Sequence, residues 1–364
     1  MKIGIIGTRG IPNNYGGFEQ FAEYLSKGLI DLGFEIWVYN SHNHPYQKSE
    51  WNGVNIIHCY DPEYKVGTIG QFIYDLNCIR DSRKRNFDII LQLGYTSSSI
   101  WNFLIPKKSL LLTNMDGLEW KRTKYHPAVR KFLKYAEKLA VKKSNFLISD
   151  SMGIKNYLLK KYNKDSTYIP YGSIMFNQPD EKLLLPYQLV PYSYNMILAR
   201  LESENNIELI LDGHSSSNTN RKIIVIANYN TKYGTYLHAK YEKISSVLFL
   251  GAIYDINILN NLRYFSNLYF HGHSVGGTNP SLLEAMASQA LIVAHKNEFN
   301  SSILNNDAYY FETSENISRI IQTISKKEAE QSMLQANLSK IELLYSWPKI
   351  INSYSDLFKR LKKV

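Results

Sequence analysis

The chain has 364 residues, 44% of them hydrophobic, and a net charge of +10, which suits two domains of about 150–200 residues, each with a buried core. Its two cysteines, Cys59 and Cys78, make neither a disulfide framework nor a zinc pattern and point to a reducing compartment. The opening Met-Lys-Ile-Gly-Ile-Ile-Gly lacks the layout of a signal peptide, and no apolar run approaches the roughly 18–20 residues that span a bilayer, so a soluble or surface-lying protein is expected.

Lys2–Ile6 reads as a buried strand, followed by the loop Gly7-Thr-Arg-Gly10-Ile-Pro-Asn-Asn-Tyr-Gly16-Gly17 and a helix from Phe18 to Leu32 that Gly33 stops. Glu35–Tyr39, Asn55–Cys59, Ile89–Leu93, Leu110–Asn114, Phe146–Ser149 and Thr167–Ile169 are further predicted strands, with helices near 68–85 and 127–143. A polar, proline-bearing stretch from Pro170 to Pro191 breaks the alternation, which then restarts. Met196–Ala199, Lys222–Ala227, Val247–Leu250, Leu268–Phe270 and Leu291–Ala294 read as strands, with helices near 204–213, 255–265, 280–288 and 315–325. Alternating apolar strands and helices predict an α/β protein with parallel, doubly wound sheets. The expected organisation is a first domain over 1–170, a linker over 171–191, a second domain over 192–345, and a closing stretch, 346–364, whose amphipathic Trp347–Leu361 packs back on the first domain.

Gly276-Gly-Thr-Asn-Pro-Ser-Leu-Leu-Glu284-Ala-Met-Ala-Ser288 sets glycines and small polar residues directly before a helix. Such a loop brings backbone N–H groups and a helix N-terminus to an anion, most naturally a phosphate. Glu284 lies one turn in, where a carboxylate reaches the hydroxyls of a ribose; an ordinary helix start with a solvated glutamate is the alternative. Gly16-Gly17 offers a second such place at the end of a strand, and Arg9 a charge-assisted phosphate contact. A dinucleotide fingerprint is not matched, because Gly7-Thr-Arg-Gly10 is followed by a longer insert and no acid ends the second strand, Tyr39-Asn40.

Between Lys121 and Lys161 twelve Lys or Arg face only Glu137 and Asp150, which accounts for the whole net charge of +10. Lys124 is among them. Val129, Phe132, Leu133, Ala136, Leu139 and Ala140 follow helical spacing, while Arg130, Lys131, Lys134, Lys138 and Lys142 fall mostly on the opposite face. A solvated face, docking to anionic lipid and binding of nucleic acid are the three readings, the last without an accompanying motif.

Gly-Thr-Arg-Gly-Ile-Pro…Tyr15-Gly-Gly-Phe-Glu19, Met115-Asp-Gly-Leu-Glu-Trp-Lys-Arg122, Ile148-Ser-Asp-Ser151, Ala199-Arg-Leu-Glu-Ser-Glu-Asn-Asn206 and His271-Gly-His-Ser-Val-Gly-Gly-Thr-Asn-Pro-Ser-Leu-Leu-Glu-Ala-Met286 resemble, in order and over nearly the whole chain, bacterial GT-B glycosyltransferases of family 4. The nearest likeness is to the rhamnosyltransferase-like subgroup of capsule and O-antigen biosynthesis. The resemblance implies two facing Rossmann-like domains (GT-B) with a central cleft and a nucleotide-sugar donor in the C-terminal domain. It also implies sugar transfer with retention by a hexosyltransferase that uses neither metal nor cofactor.

Residue by residue, the resemblance implies donor binding by Gly16, Gly17, Arg200, Asn206, Gly276, Gly277, Thr278, Asn279 and Glu284. Arg200 matches the arginine on the donor diphosphate, and with Asp116, placed where many relatives carry histidine, forms the expected catalytic pair. Arg9, Glu119, Trp120, Lys121 and Arg122 form the expected acceptor rim. Two positions depart from the pattern: Asn206 stands where a lysine completes the cationic clamp, and Gly276 where an acid holds the donor sugar. Loss of that acid suits rhamnose, carried as dTDP-rhamnose. A lipid-linked saccharide acceptor, and a cytoplasmic, peripheral place on the inner face of the cell membrane through the basic face 121–161, follow from the charge and the family together; nucleic acid is not an expected partner.

Each assignment has a plainer alternative. Asp116-Gly117 reads equally as a turn aspartate, Arg200 as a partner of Glu202 or Glu204, and Trp120 as core. His271 and His273 line the donor pocket or are structural, and two histidines make no metal site. For the whole protein, a catalytically silent sugar-nucleotide or glycan-binding protein and a sugar-nucleotide epimerase of the same architecture remain open.

Overall fold

The computed structural model describes residues 1–14, 16–122, 125–327 and 331–362; Tyr15 of the first loop and Lys124 of the basic segment lie outside the described residues. The chain divides into two compact units. The first comprises Met1–Lys121, Tyr125–Gly172 and the stretch from Trp347 onward, and the second Arg122 and Ser173–Ser346. Residues 171–191, expected as a linker, belong from Ser173 on to the second unit and contain a 3-10 turn over Glu181–Tyr187 that buries Leu184.

Among the described residues the first unit holds eight strands: β1 (Lys2–Ile6), β2 (Glu35–Ser41), β3 (Glu50–Trp51), β4 (Val54–Cys59), β5 (Ile89–Leu93), β6 (Leu110–Asn114), β7 (Phe146–Ser149) and β8 (Thr167–Tyr168). They form one sheet in the order β3-β4-β2-β1-β5-β6-β7-β8, parallel except for the β3–β4 pair. Helices cover a parallel sheet on both faces, so its strands read as apolar runs rather than alternations; all five residues of β5 are buried. The helix Gly17–Asp31 turns Phe21, Ala22, Leu25 and Leu29 inward, at the spacing of one helical face. Against it packs the last helix, Trp347–Lys362. Its Ile350, Tyr354, Leu357, Phe358 and Leu361 are buried, each such side chain stabilising by on the order of 1.5–3 kcal/mol.

The second unit adds β9 (Tyr194–Leu198), β10 (Lys222–Ile226), β11 (Val247–Gly251), β12 (Tyr269–His271), β13 (Ile292–His295) and β14 (Tyr309–Phe311), a parallel sheet in the order β11-β10-β9-β12-β13-β14. Ile197, Ile223, Val225, Phe270 and Val293 of its strands share one core with Ile207, Ile210 and Leu211 of the helix Ile207–Ser216. Each sheet therefore runs outward in both directions from its first strand, β1 or β9, and the order reverses beside that strand.

Among the described residues five helices escaped the sequence: Glu63–Val66, Met152–Tyr162, Lys232–Tyr241, Glu298–Leu304 and Gln331–Lys340. Their apolar stripes are thin; Met152–Tyr162 buries only Ile154 and Leu158 and is fixed by the Ser151 hydroxyl, which accepts from the Ile154 N–H at 3.2 Å. The strands Glu50–Trp51 and Tyr309–Phe311 at the sheet edges were too short to register. In the basic helix Pro127–Lys143 one expectation inverts. Val129, expected inside, is exposed, and Glu137, to which the sequence assigned no face, is buried. Among the described residues no helix is long and apolar enough to cross a membrane.

Candidate active site

In open parallel sheets, ligands bind beyond the carboxyl ends of the strands where the strand order reverses. In the second unit that point lies between β9 and β12, whose Ile197 and Phe270 are paired. The segments 199–206 and 272–279 leave the sheet there, and they are clasped together. The Asn206 side chain donates to the Gly272 carbonyl at 2.7 Å, and both the N–H and the hydroxyl of Ser274 donate to the Glu204 carbonyl, at 3.0 and 2.8 Å. The approach demands glycine at 272, since a Cβ there would stand 2.0 Å from the Asn205 carbonyl oxygen. Asn206 itself adopts φ 52°, ψ 29°, a left-handed conformation that asparagine tolerates better than lysine does. Its place in the loop is thus that of a clasp rather than half of a cationic clamp.

Arg200 is the exposed cation of this edge: its side chain is 68% accessible and approaches Glu202 only to 3.9 Å. Arg122, expected on the acceptor rim, lies 3.7 Å from both Glu202 and Glu204 within the second unit. Behind them His271 and His273 stack with ring centroids 4.4 Å apart. Burial, and then the positive charge of Arg200 and Arg122, pushes His273 down to about 4. Burial, then His273 and Arg263, holds His271 well below the usual histidine range, so both rings are neutral. No group of three or more His, Cys, Asp or Glu among the described residues is arranged to hold a metal ion.

Gly276 has φ +143°, a conformation closed to L side chains in practice. Space is not the constraint, since nothing lies within 4 Å of a Cβ built there. The loop's backbone path therefore excludes the carboxylate that the resemblance places at 276. Gly277 is half-buried and Thr278 buried. Asn279 caps the helix Pro280–Ala287, its side chain accepting from the Ser281 N–H at 2.9 Å. One turn on, Glu284 meets the guanidinium of Arg263, with an Nη2–Oε2 separation of 2.5 Å. Sequence reasoning passed over Arg263; the available signal was a lone cation between Leu259, Leu262 and Phe265 on a helix, a charge that must have a partner if it is buried.

In the first unit the reversal lies between β1 and β5, and the loop after β1 is closed on its own side chains. Glu19 accepts from the Arg9 N–H at 2.7 Å and from the Thr8 hydroxyl at 3.2 Å; Asn40 accepts from the Ile11 N–H at 3.1 Å; Glu23 accepts from the Asn13 N–H. The Arg9 guanidinium is bidentate on Glu63, at 2.8 and 2.9 Å. The N–H groups of Arg9, Gly10, Ile11 and Asn13 are therefore taken up within the loop, ahead of the Gly16-Gly17 pair expected to face a phosphate. An anion arriving at Gly16-Gly17 would also meet the Glu19 carboxylate, which stands 3.2 Å from where a Gly16 Cβ would be.

Asp116 follows β6 and is half-buried before Gly117, with Asp150 fully buried after β7. After burial, Asp116 and Asp150 are the largest causes that raise the Tyr171 hydroxyl well above its ordinary pKa, with Tyr354 and Glu19 behind them. Three carboxylates thus gather at the carboxyl edge of this sheet, two of them, Glu19 and Asp150, not assigned from sequence. Glu119, Trp120 and Lys121 form one 3-10 turn. The Trp120 indole N–H donates to the buried Glu137 at 3.0 Å, and Lys134 and Lys161 lie 4.3 and 5.4 Å from its ring centroid. Its face is covered by cations, an arrangement of packing rather than of open sugar stacking.

Residues 1–174 match a family described as "Domain of unknown function (DUF1972)". No curated protein sequence matches the chain. Among solved structures it is similar to sucrose-phosphate synthase from Thermosynechococcus elongatus (TM-score 0.79, 14% identity, 100% of this chain and 99% of that one). It is also similar to Anabaena HepE in complex with UDP and glucose (0.75, 14%, 99% and 99%) and to a glycosyltransferase from Rickettsia africae (0.69, 15%, 100% and 98%). The chain has the GT-B fold. It does so as an α/β protein of two Rossmann-like units, and at these identities the likeness speaks for the fold alone.

Proposed function

We propose that this protein is a glycosyltransferase whose second unit holds a nucleoside diphosphate-sugar at the β9/β12 edge. The observation that carries the reading is the convergence there of an exposed guanidinium, Arg200, with the clasped glycine loop that leads through Asn279 into the Glu284 helix. Arg200 balances the charge of the departing diphosphate, aided by loop N–H groups and the helix N-terminus rather than by a metal ion. Glu284, oriented by Arg263, accepts from the ribose hydroxyls. Asp116 steadies positive charge developing on the sugar ring, while the departing phosphate takes the acceptor's proton in a retaining transfer. Glu119, Lys121 and Arg122 remain the proposed acceptor contacts.

The finer reading is transfer of rhamnose from dTDP-rhamnose to a lipid-linked oligosaccharide of a surface polysaccharide, at an anionic membrane that the basic helix approaches. Support for the donor class comes from the neighbour solved with UDP and glucose, and for rhamnose from the glycine that Gly276's backbone requires. The deciding experiment is the thermal stability of the protein against dTDP, UDP, GDP, CDP and NAD. A ligand at about 100 times its dissociation constant stabilises the folded state by about 2.7 kcal/mol. A shift with one nucleoside diphosphate is expected, and a shift with NAD alone would overturn the reading.

A second reading, a sugar-nucleotide-binding protein without transfer, is favoured by one observation: Asn206 and Gly276 serve the loop's conformation at two positions where the family's pattern has charge. It predicts donor binding with no nucleotide release in the presence of any acceptor.

A further inference from the structure

The six consecutive residues Tyr64-Lys-Val-Gly-Thr-Ile69 are all exposed, and three of them are large and apolar: Tyr64 at 61%, Val66 at 50% and Ile69 at 67% accessibility. They join the short helix Glu63–Val66 to the helix Ile69–Ser82, and Ile73, one turn further, is exposed as well. Burying such side chains is favourable, and among the described residues they stay largely uncovered, Tyr64 meeting the His42 ring and Lys65. The acids of this segment face other partners. Asp61 is buried and accepts from the Glu63 N–H, while Glu63 is bound by Arg9 and Gln71.

The ridge adjoins the basic helix. Phe72 meets Phe132 of Pro127–Lys143 with ring centroids 5.6 Å apart, and Val129, one turn before Phe132, is exposed. Lys131, Lys134, Lys138 and Lys142 stand exposed along the same helix. An apolar ridge beside an unopposed row of cations fits the interface of an anionic bilayer, where side chains enter the acyl boundary and lysines meet headgroups. A second copy of this chain is a poor occupant, because a two-fold contact sets like charge against like charge.

We propose that Tyr64, Val66 and Ile69 insert into the headgroup boundary of an anionic membrane and set the depth and orientation of the first unit, with the basic helix lying above the headgroups. The inference rests on the membrane reading given above and adds an inserted element outside the basic segment. Flotation of the full chain with phosphatidylglycerol-containing and pure phosphatidylcholine vesicles tests it, using V66N/I69N and a Y64W reporter with acyl-chain-brominated lipid. All three positions are exposed, so an unchanged melting curve shows that folding is intact. Expected are binding to the anionic vesicles, an affinity lower by about tenfold or more in V66N/I69N, and bromine quenching of Y64W beyond that of the five native tryptophans. Wild-type affinity in V66N/I69N, or Y64W emission that bromine leaves untouched, overturns the insertion while the electrostatic docking stands. Failure of the wild type to bind anionic vesicles overturns the membrane reading and the insertion with it. A wild-type dimer that V66N/I69N converts to monomer assigns the ridge to a second copy and also overturns it.

Discussion

The fully buried guanidinium of Arg263 lies 2.5 Å from the carboxylate of Glu284 and also donates to Asn260 at 2.8 Å. A single pair thus serves two purposes, folding of the second unit and orientation of the proposed ribose acid. Glu284→Ala strands a buried cation, which costs about 3–5 kcal/mol, and weakens nucleotide binding. The double variant R263M/E284L removes both charges and regains most of that stability. Urea titration and calorimetric nucleotide binding separate the roles: recovery of nucleotide affinity in the double variant would mean that Glu284 acts only through Arg263.

Arg200 makes the opposite prediction. Its side chain is largely exposed and only loosely paired, so Arg200→Ala changes stability by less than about 0.5 kcal/mol. On the proposed mechanism it raises the transfer barrier by about 3 kcal/mol. Nucleotide release from the productive donor measures this, and near-normal turnover sinks the assignment.

The lysines of the basic helix are not equivalent. Lys134 lies over the Trp120 ring at 4.3 Å, whereas Lys131, Lys138 and Lys142 are exposed along the helix. Neutralising these three to glutamine leaves the melting temperature unchanged and reduces flotation with anionic vesicles most strongly at low salt. Undiminished flotation would reduce the helix to a solvated face.

Burial holds the imidazoles of His214 and His273 down to about 4 and that of His271 well below its ordinary range. The unfolded chain binds these protons near pH 6.5, so their contribution to stability is fully present above that pH. It is lost as pH falls from about 6.5 towards 4. The urea midpoint should therefore drop between about pH 7.5 and pH 5, with a shallower drop in His214→Gln. Equal midpoints at the two values would contradict neutral burial.

The core strands were legible because a parallel sheet buried on both faces writes itself as Ile, Leu and Val runs: Lys2–Ile6, Ile89–Leu93, Leu110–Asn114 and Phe146–Ser149 have the predicted bounds. The helix Met152–Tyr162 was not legible, since a lysine-rich surface helix with two buried residues has no periodic stripe. At the candidate site, sequence order brought out Arg200, the glycine loop and Glu284. The partners that aim or occupy them lie far away in sequence, as Arg263 does for Glu284 and Glu63 for Arg9. Backbone conformation was the other hidden variable, because neither the φ of Gly276 nor that of Asn206 is written in residue type alone.

The return of Trp347–Lys362 to the first unit makes that unit discontinuous along the chain. Phe21 faces Tyr354 and Tyr24 stacks on Trp347, so half of this aromatic seam is translated only after the second unit. During synthesis the first unit waits with an open flank while the second, continuous from Ser173 to Ser346, already holds its full strand set. Cut after residue 174, the matched family segment should bind a hydrophobic dye that the whole chain does not, and adding residues 347–364 as a peptide should displace it. Dye-silent fragments would show that the first unit closes unaided.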